Sequence, residues 1–281
     1  MSVKFFGQFL LEQGEIDELQ LRQALDLMER ENRTLGELAV SAGFASRAES
    51  RRVNGEQRRL DLPFGELAVR MGVLNSVELE ELLLVQLETR LNLEEAIVRL
   101  GLIPEDRVGV LLDAFKQEQG QHQELDGSGE IELPPVLQGN RVAERLLSLL
   151  PRMCRRVARL DVKMGRGEPL DSLLEEVLVA SLEVAGSHGV VMTLAAERSF
   201  GEMLALGISG IDDKSLASEL AVDALGEFLN VLAGNVAASL EAQGFENRLE
   251  APKFGVLPTE GTRFPIASNY GQAVFVLLPG S

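Results

Sequence analysis

The chain has 281 residues, 45% hydrophobic and 25% charged, enough for two domains that each bury a core of their own. A formal net charge of −17 excludes a broadly basic surface, so neither nucleic acid nor an anionic membrane is expected as a partner. The one cysteine, Cys154, excludes an internal disulfide.

The first residues, Met1 to Leu11, begin apolar but reach Glu12 and Gln13 at once, which fits neither a signal peptide nor a membrane span. No uninterrupted apolar run of about 18 residues follows. The expected setting is therefore the cytoplasm, with no membrane insertion. Four copies of one pattern then fill the first half: Gly7 to Gly14, Gly36 to Gly43, Gly65 to Gly72 and Glu94 to Gly101, each closing glycine 29 residues after the last. Each copy reads as a short helix stopped by glycine, then a longer helix beginning near Asp17, Ser46, Asn75 and Pro104 respectively. Ser46 with Glu49, and Asn75 with Glu78, have the spacing of a capping box. A helical pair cannot bury its apolar face alone, so the copies must share a core. Arg47, Arg51, Arg52, Arg58 and Arg59 form a local basic cluster, read as a solvated helix face.

The repeat resembles the N-terminal domain of the type II secretion and pilus-assembly ATPases, some of which bind cyclic di-GMP. Repeat one matches at Gly7, Leu10, Leu11, Gly14, Ile16, Gln20, Leu21, Ala24 and Leu25, and repeat three at Gly65, Val69, Gly72, Leu79, Leu83 and Gln86. Where the nucleotide-binding members carry Arg, this sequence has Phe5, Thr34, Pro63 and Asn92. A guanidinium supplies both charge and a planar donor fork to guanine and phosphate. Without it, cyclic di-GMP is not expected as a ligand, and a docking or scaffold domain is the expectation for residues 1–118.

Residues 119–138 are polar, glycine-bearing and punctuated by proline, as a linker is. The two histidines, His122 in this linker and His188 in a Gly-Ser-His-Gly turn, have no ligand-like companions, so no metal site is expected.

Residues 139–281 read as α+β. Arg141 to Val157 has helical spacing, with Pro151 placed to end or kink it. Ala158 to Met164 alternates as a strand does. Glu176 to Val184 and Val190 to Leu194 read as a hairpin, though Leu174 to Ala180 could equally be helical. A short helix over Ser199 to Leu206 ends near Gly207. Asp213 suits the start of a long helix, and Leu249 to Val256 and Gln272 to Leu278 look like strands with loops between them. The architecture expected is an all-helical repeat domain followed by an antiparallel sheet packed against long helices.

Within the long helix, Asp223, Glu227, Asn230 and Gly234 fall at roughly 0°, 40°, −20° and 20° on the helical wheel. Leu225, Phe228, Leu229, Leu232 and Val236 take the opposite side. A solvated helix normally shows Lys, Arg and Glu outward; this one shows two acids, a carboxamide and a glycine that leaves room for another molecule.

Asp-x-x-x-Glu-x-x-Asn-x-x-x-Gly is similar to the signature of the CheC/CheX family of chemotaxis phosphatases, and positions 223 to 234 meet it throughout. Leu160 to Pro169, Glu176 to Ala195 and Leu249 to Gly255 resemble the CheX strands that surround that helix. The resemblance implies a CheX-like fold over residues 139–281, a possible homodimer, and hydrolysis of the aspartyl phosphate on a CheY-like receiver domain. The receiver would supply the Mg2+, so this chain is expected to bind no cofactor of its own. In that chemistry Asn230 places the attacking water, because a neutral carboxamide can hold water without repelling a phosphoryl group. Glu227 pairs with the receiver's lysine, Asp223 supports docking or caps the helix, and Gly234 provides clearance. The alternative is a non-catalytic adaptor that docks a receiver or a pilus or secretion component, with cyclic di-GMP acting at the N-terminal domain.

Overall fold

A computed structural model describes residues 4–57, 60, 62–119, 133–186, 188–209 and 213–280. Arg58, Arg59 and His122, and most of the expected linker, lie outside the described residues. The chain divides into two compact units, Phe6–Glu118 and a second built on Gln119–Ser281.

The first unit holds eight described helices: α1 (Phe6–Glu12), α2 (Glu18–Glu31), α3 (Leu35–Ser41), α4 (Arg47–Gln57), α5 (Phe64–Arg70), α6 (Ser76–Thr89), α7 (Leu93–Arg99) and α8 (Glu105–Gln119). Each short helix ends at its expected glycine: Gly14, Gly43, Gly72 and Gly101 all have φ between 66° and 79°, where a Cβ would be strained. Gly7, Gly36 and Gly65 do different work. A Cβ there would come within 2.8 Å of Leu21, 2.5 Å of Ser50 and 2.5 Å of Leu79, so each glycine lets the second helix of its repeat close in.

The repeats pair rather than stack in order. Repeats two and three share one core of Leu38, Ala39, Ala45, Val53, Leu67, Ala68, Leu74 and Leu82. Repeats one and four meet although they begin and end the unit. Here α2 packs on α7, and the Phe6 and Phe9 rings each lie 5.5 Å from Phe115 on α8. Asn32 locks this pairing: its Nδ2 donates to the Leu91 carbonyl at 2.8 Å, and the Leu91 N–H donates to its Oδ1 at 2.7 Å.

The second unit is an antiparallel sheet with helices against it. Its elements are α9 (Arg141–Ala158), β1 (Val162–Met164), β2 (Glu168–Pro169), β3 (Leu178–Gly186), β4 (Val190–Ala196), α10 (Arg198–Ser209), α11 (Lys214–Glu241), β5 (Asn247–Leu249), β6 (Lys253–Phe254), β7 (Thr262–Ser268) and β8 (Gly271–Pro279). Strand order is β1-β7-β8-β4-β3-β5, with β2 also on β7 and β6 also on β3. The three helices bury one continuous core with Leu182, Met192, Phe264 and Phe275 of the sheet. This is the α+β class expected.

Several local expectations are corrected. Helix α9 passes straight through Pro151 to Ala158, so strand β1 begins only at Val162. Helix α10 does not stop at Gly207. That glycine is a crossing point, since a Cβ there would sit 2.3 Å from the Ala158 Cα. The expected strand over Leu249 to Val256 is two short pieces, β5 and β6, both on β3. Strand β7, with Pro265 inside it, lies where only loop is expected between the last two strands. The break between β1 and β2 explains how the proline fits: Met164 pairs with Ile266 and Glu168 with Arg263, leaving Pro265 opposite the gap. Its carbonyl still accepts from the Gly165 N–H at 2.8 Å, on the side where its own missing N–H would have pointed.

Candidate functional site

Asp223, Glu227, Asn230 and Gly234 lie on successive turns of α11, well inside a helix of 28 residues. The helix starts where Asp213 predicts. Its carboxylate accepts from the Ser215 and Leu216 N–H groups at 2.9 and 3.4 Å. The cap is thus Asp213, and Asp223, well inside the helix, does not cap it. By length and composition α11 could cross a membrane, yet more than half of it is buried within this unit.

The wheel angles translate into burial. Leu225, Phe228, Leu229, Leu232 and Val236 are all fully buried against β3 and the other helices. Asp223 and Glu227 are exposed, and Asn230 and Gly234 are half-buried beside them. Between Ser215 and Glu241 the helix has no Lys or Arg, so every charge on the open stripe is negative. A Cβ on Gly234 would meet nothing within 4 Å.

The two asparagines of α11 differ in a telling way. Asn235 donates Nδ2 to the Val231 carbonyl at 2.8 Å and is spent on its own helix. No hydrogen bond among the described residues engages the Asn230 side chain, so both ends of its amide are available to something outside the chain. An exposed carboxylate lies at Glu227, three residues before it and on the same face.

Sequence reasoning missed one neighbour of the stripe. Strand β6 sets Phe254 against Gly226, where a Cβ would come 2.6 Å from the ring, and the ring remains 44% exposed. Gly226, at about −60° on the wheel, borders Asn230. Val256 and Leu257, in the loop after β6, are 61% and 55% exposed. The signal available was Gly226 itself, a helix-interior glycine with no local reason to be one.

Cys154 has the structural setting of a core residue. It is buried on α9, and that burial pushes the thiol well above its ordinary range, so it is structural.

No protein-family model matches the chain, and no curated protein matches it. Solved structures of CheX and CheC-like chemotaxis proteins are similar to its C-terminal half. A CheX from Desulfovibrio desulfuricans is 15% identical at a TM-score of 0.41, covering 50% of this chain and 99% of that one. A CheX from Vibrio vulnificus is 17% identical at 0.40, covering 48% and 97%. A CheX–CheY–BeF3–Mg complex from Borrelia burgdorferi contains a chain 20% identical at 0.38, covering 49% and 96%.

Proposed function

We propose that residues 139–281 form a phosphatase domain that hydrolyses the aspartyl phosphate of a CheY-like receiver. The observation that carries this reading is the uncommitted Asn230 carboxamide, set on the same face as the Glu227 carboxylate. Asn230 would accept a hydrogen bond from the water with its Oδ1 and hold that water in line with the phosphorus. The water oxygen bonds to phosphorus, the bond from phosphorus to the aspartyl oxygen breaks, and inorganic phosphate and a free carboxylate leave. Such positioning can supply several kcal/mol without any covalent role for this chain. Glu227 would pair with the receiver's lysine and fix the register. A carboxylate beside the phosphate would repel it, so Glu227 is not the nucleophile. Asp223 would support docking and Gly234 would leave clearance. The Mg2+ belongs to the receiver.

The second reading is a domain that docks the same receiver without turnover; the fused repeat domain, residues 1–118, favours it as an adaptor. Loss of phosphate from a purified phospho-receiver separates the two. Acceleration by wild type that drops about 100-fold or more with Asn230→Ala supports catalysis. Receiver decay unchanged by the wild-type protein would leave docking alone.

A further inference from the structure

Helix α6 shows more apolar surface than the repeat core uses. Of its 14 residues Leu82 is buried, while Val77 and Leu87 are each 73% exposed and Leu84 60%. At about 100° per residue, Val77, Leu84 and Leu87 fall within roughly 80°, and with the interleaved Glu80, Glu81 and Glu88 they fill one arc of roughly 120°. All six are exposed. The helix contains no Lys or Arg. Solitary surface apolar residues need no explanation, but three on one face ringed by a single sign of charge resemble half of a helix pair.

Two occupants from this chain fit poorly. The segment 120–132 carries Glu124, Asp126, Glu130 and Glu132 and no Lys or Arg, so it would bring acid to acid. A second copy would oppose the same acidic face to itself. Its basic helix α4, with Arg47, Arg51 and Arg52 exposed, offers no exposed large apolar residue to match the leucines.

We infer that the α6 face is a docking site for a cationic amphipathic helix of another protein. The apolar side of that helix would cover Val77, Leu84 and Leu87. Its flanking Lys or Arg residues would meet Glu80, Glu81 and Glu88. The leucines supply most of the affinity, and the acids select the sign of the partner.

The test uses the full-length protein and a labelled synthetic 14-residue peptide of Leu and Lys at helical spacing, with a scrambled peptide of the same composition as control. Fluorescence anisotropy should give affinity about tenfold tighter for the amphipathic peptide than for the scrambled one. Leu84→Gln with Leu87→Gln should lose about tenfold, as burial of two leucines is removed. Glu81→Lys with Glu88→Lys should lose a similar amount. Glu246→Lys with Glu260→Lys, an equal charge change on exposed residues of the other unit, should change it less than about twofold. Circular dichroism confirms that the variants fold. Equal binding of both peptides, or indifference to the α6 substitutions, would overturn the inference. So would a dimer in sedimentation that Leu84→Gln with Leu87→Gln dissolves, because the occupant would then be a second copy. Removal of residues 120–132 that tightens peptide binding about tenfold would assign the face to the chain's own segment instead.

Discussion

A methyl group on Gly226 would lie 2.6 Å from the Phe254 ring, so helix α11 and strand β6 touch where neither has bulk to spare. Gly226→Ala therefore sets two effects against each other. Alanine improves the helix by about 1 kcal/mol, while the crowded ring costs about 1–3 kcal/mol unless it swings outward. The ring is 44% exposed and can swing, so the single change should leave stability within about 1 kcal/mol of wild type. In a Phe254→Ala background the same change should stabilise by about 1 kcal/mol, because only the helix term remains. Urea unfolding of the four proteins measures that coupling. An equal effect of Gly226→Ala in both backgrounds would show that the ring does not press on the helix.

Gly234 separates fold from function. A Cβ there meets nothing within 4 Å, so Gly234→Ala and Gly234→Gln should both raise stability by a few tenths to about 1 kcal/mol. If the stripe seats a receiver, only the glutamine should interfere, slowing receiver dephosphorylation about tenfold or more through lost approach. The paired readout is thermal unfolding beside phosphate release. A glutamine variant that is as fast as wild type would remove Gly234 from the contact surface.

What could be read in advance follows from which forces are local. The apolar side of α11 is legible because Leu225, Phe228, Leu229, Leu232 and Val236 repeat at helical period, and all five are fully buried. The repeat turns are legible because a left-handed residue after a helix favours glycine, and the four glycines recur at constant spacing. The illegible parts depend on distant partners. Pro265 vetoes a strand by any local rule, and only the gap between β1 and β2, about 100 residues earlier, makes room for it. Gly207 looks like a helix stop because nothing local announces that α9 crosses there. The stripe itself is visible, but Phe254 beside it is not, since strand β6 is two residues long and only its pairing with β3 brings it against the helix.

The crossing at Gly207 gives a severe test. A Cβ there would be 2.3 Å from the Ala158 Cα and 2.4 Å from the Val157 carbonyl oxygen, both backbone atoms that cannot rotate away. Gly207→Ala should cost about 3 kcal/mol or more, against a helix-propensity gain of about 1. Gly109→Ala, in α8 with nothing within 4 Å, is the matched control and should be neutral or stabilising. Chemical denaturation of both variants decides it; a tolerated Gly207→Ala would mean that α9 and α10 cross elsewhere.

Cys154 reports on the same core. Its folded thiol titrates above the ordinary value because burial penalises the thiolate. The folded state therefore holds its proton longer than the unfolded chain, whose thiol ionises near pH 8.5. Stability is unaffected below that pH and falls as pH rises above it, because ionisation then favours the unfolded chain. Cys154→Ala should show a shallower alkaline loss. Native protein at pH 8 should resist iodoacetamide and react quickly in urea. Fast native labelling would contradict the burial.

Thr34 and Asn92, which the resemblance to the secretion ATPases aligns with a nucleotide-binding Arg, are each spent on their own helix. The Thr34 Oγ1 accepts from the Glu37 N–H at 3.3 Å, and the Asn92 Oδ1 accepts from the Glu95 N–H at 2.8 Å. Glu37 and Glu95 reach back to the Thr34 and Asn92 N–H groups at 2.7 and 3.2 Å, completing capping boxes. Each replacement by alanine should cost about 1 kcal/mol. Thr34→Arg and Asn92→Arg should cost about the same, since arginine cannot accept those N–H bonds. Calorimetry of the wild-type protein with cyclic di-GMP should show no micromolar site. A site in wild type would mean that these caps give way to a ligand, whereas arginine variants that lose no stability would show that the boxes do not hold the helix starts.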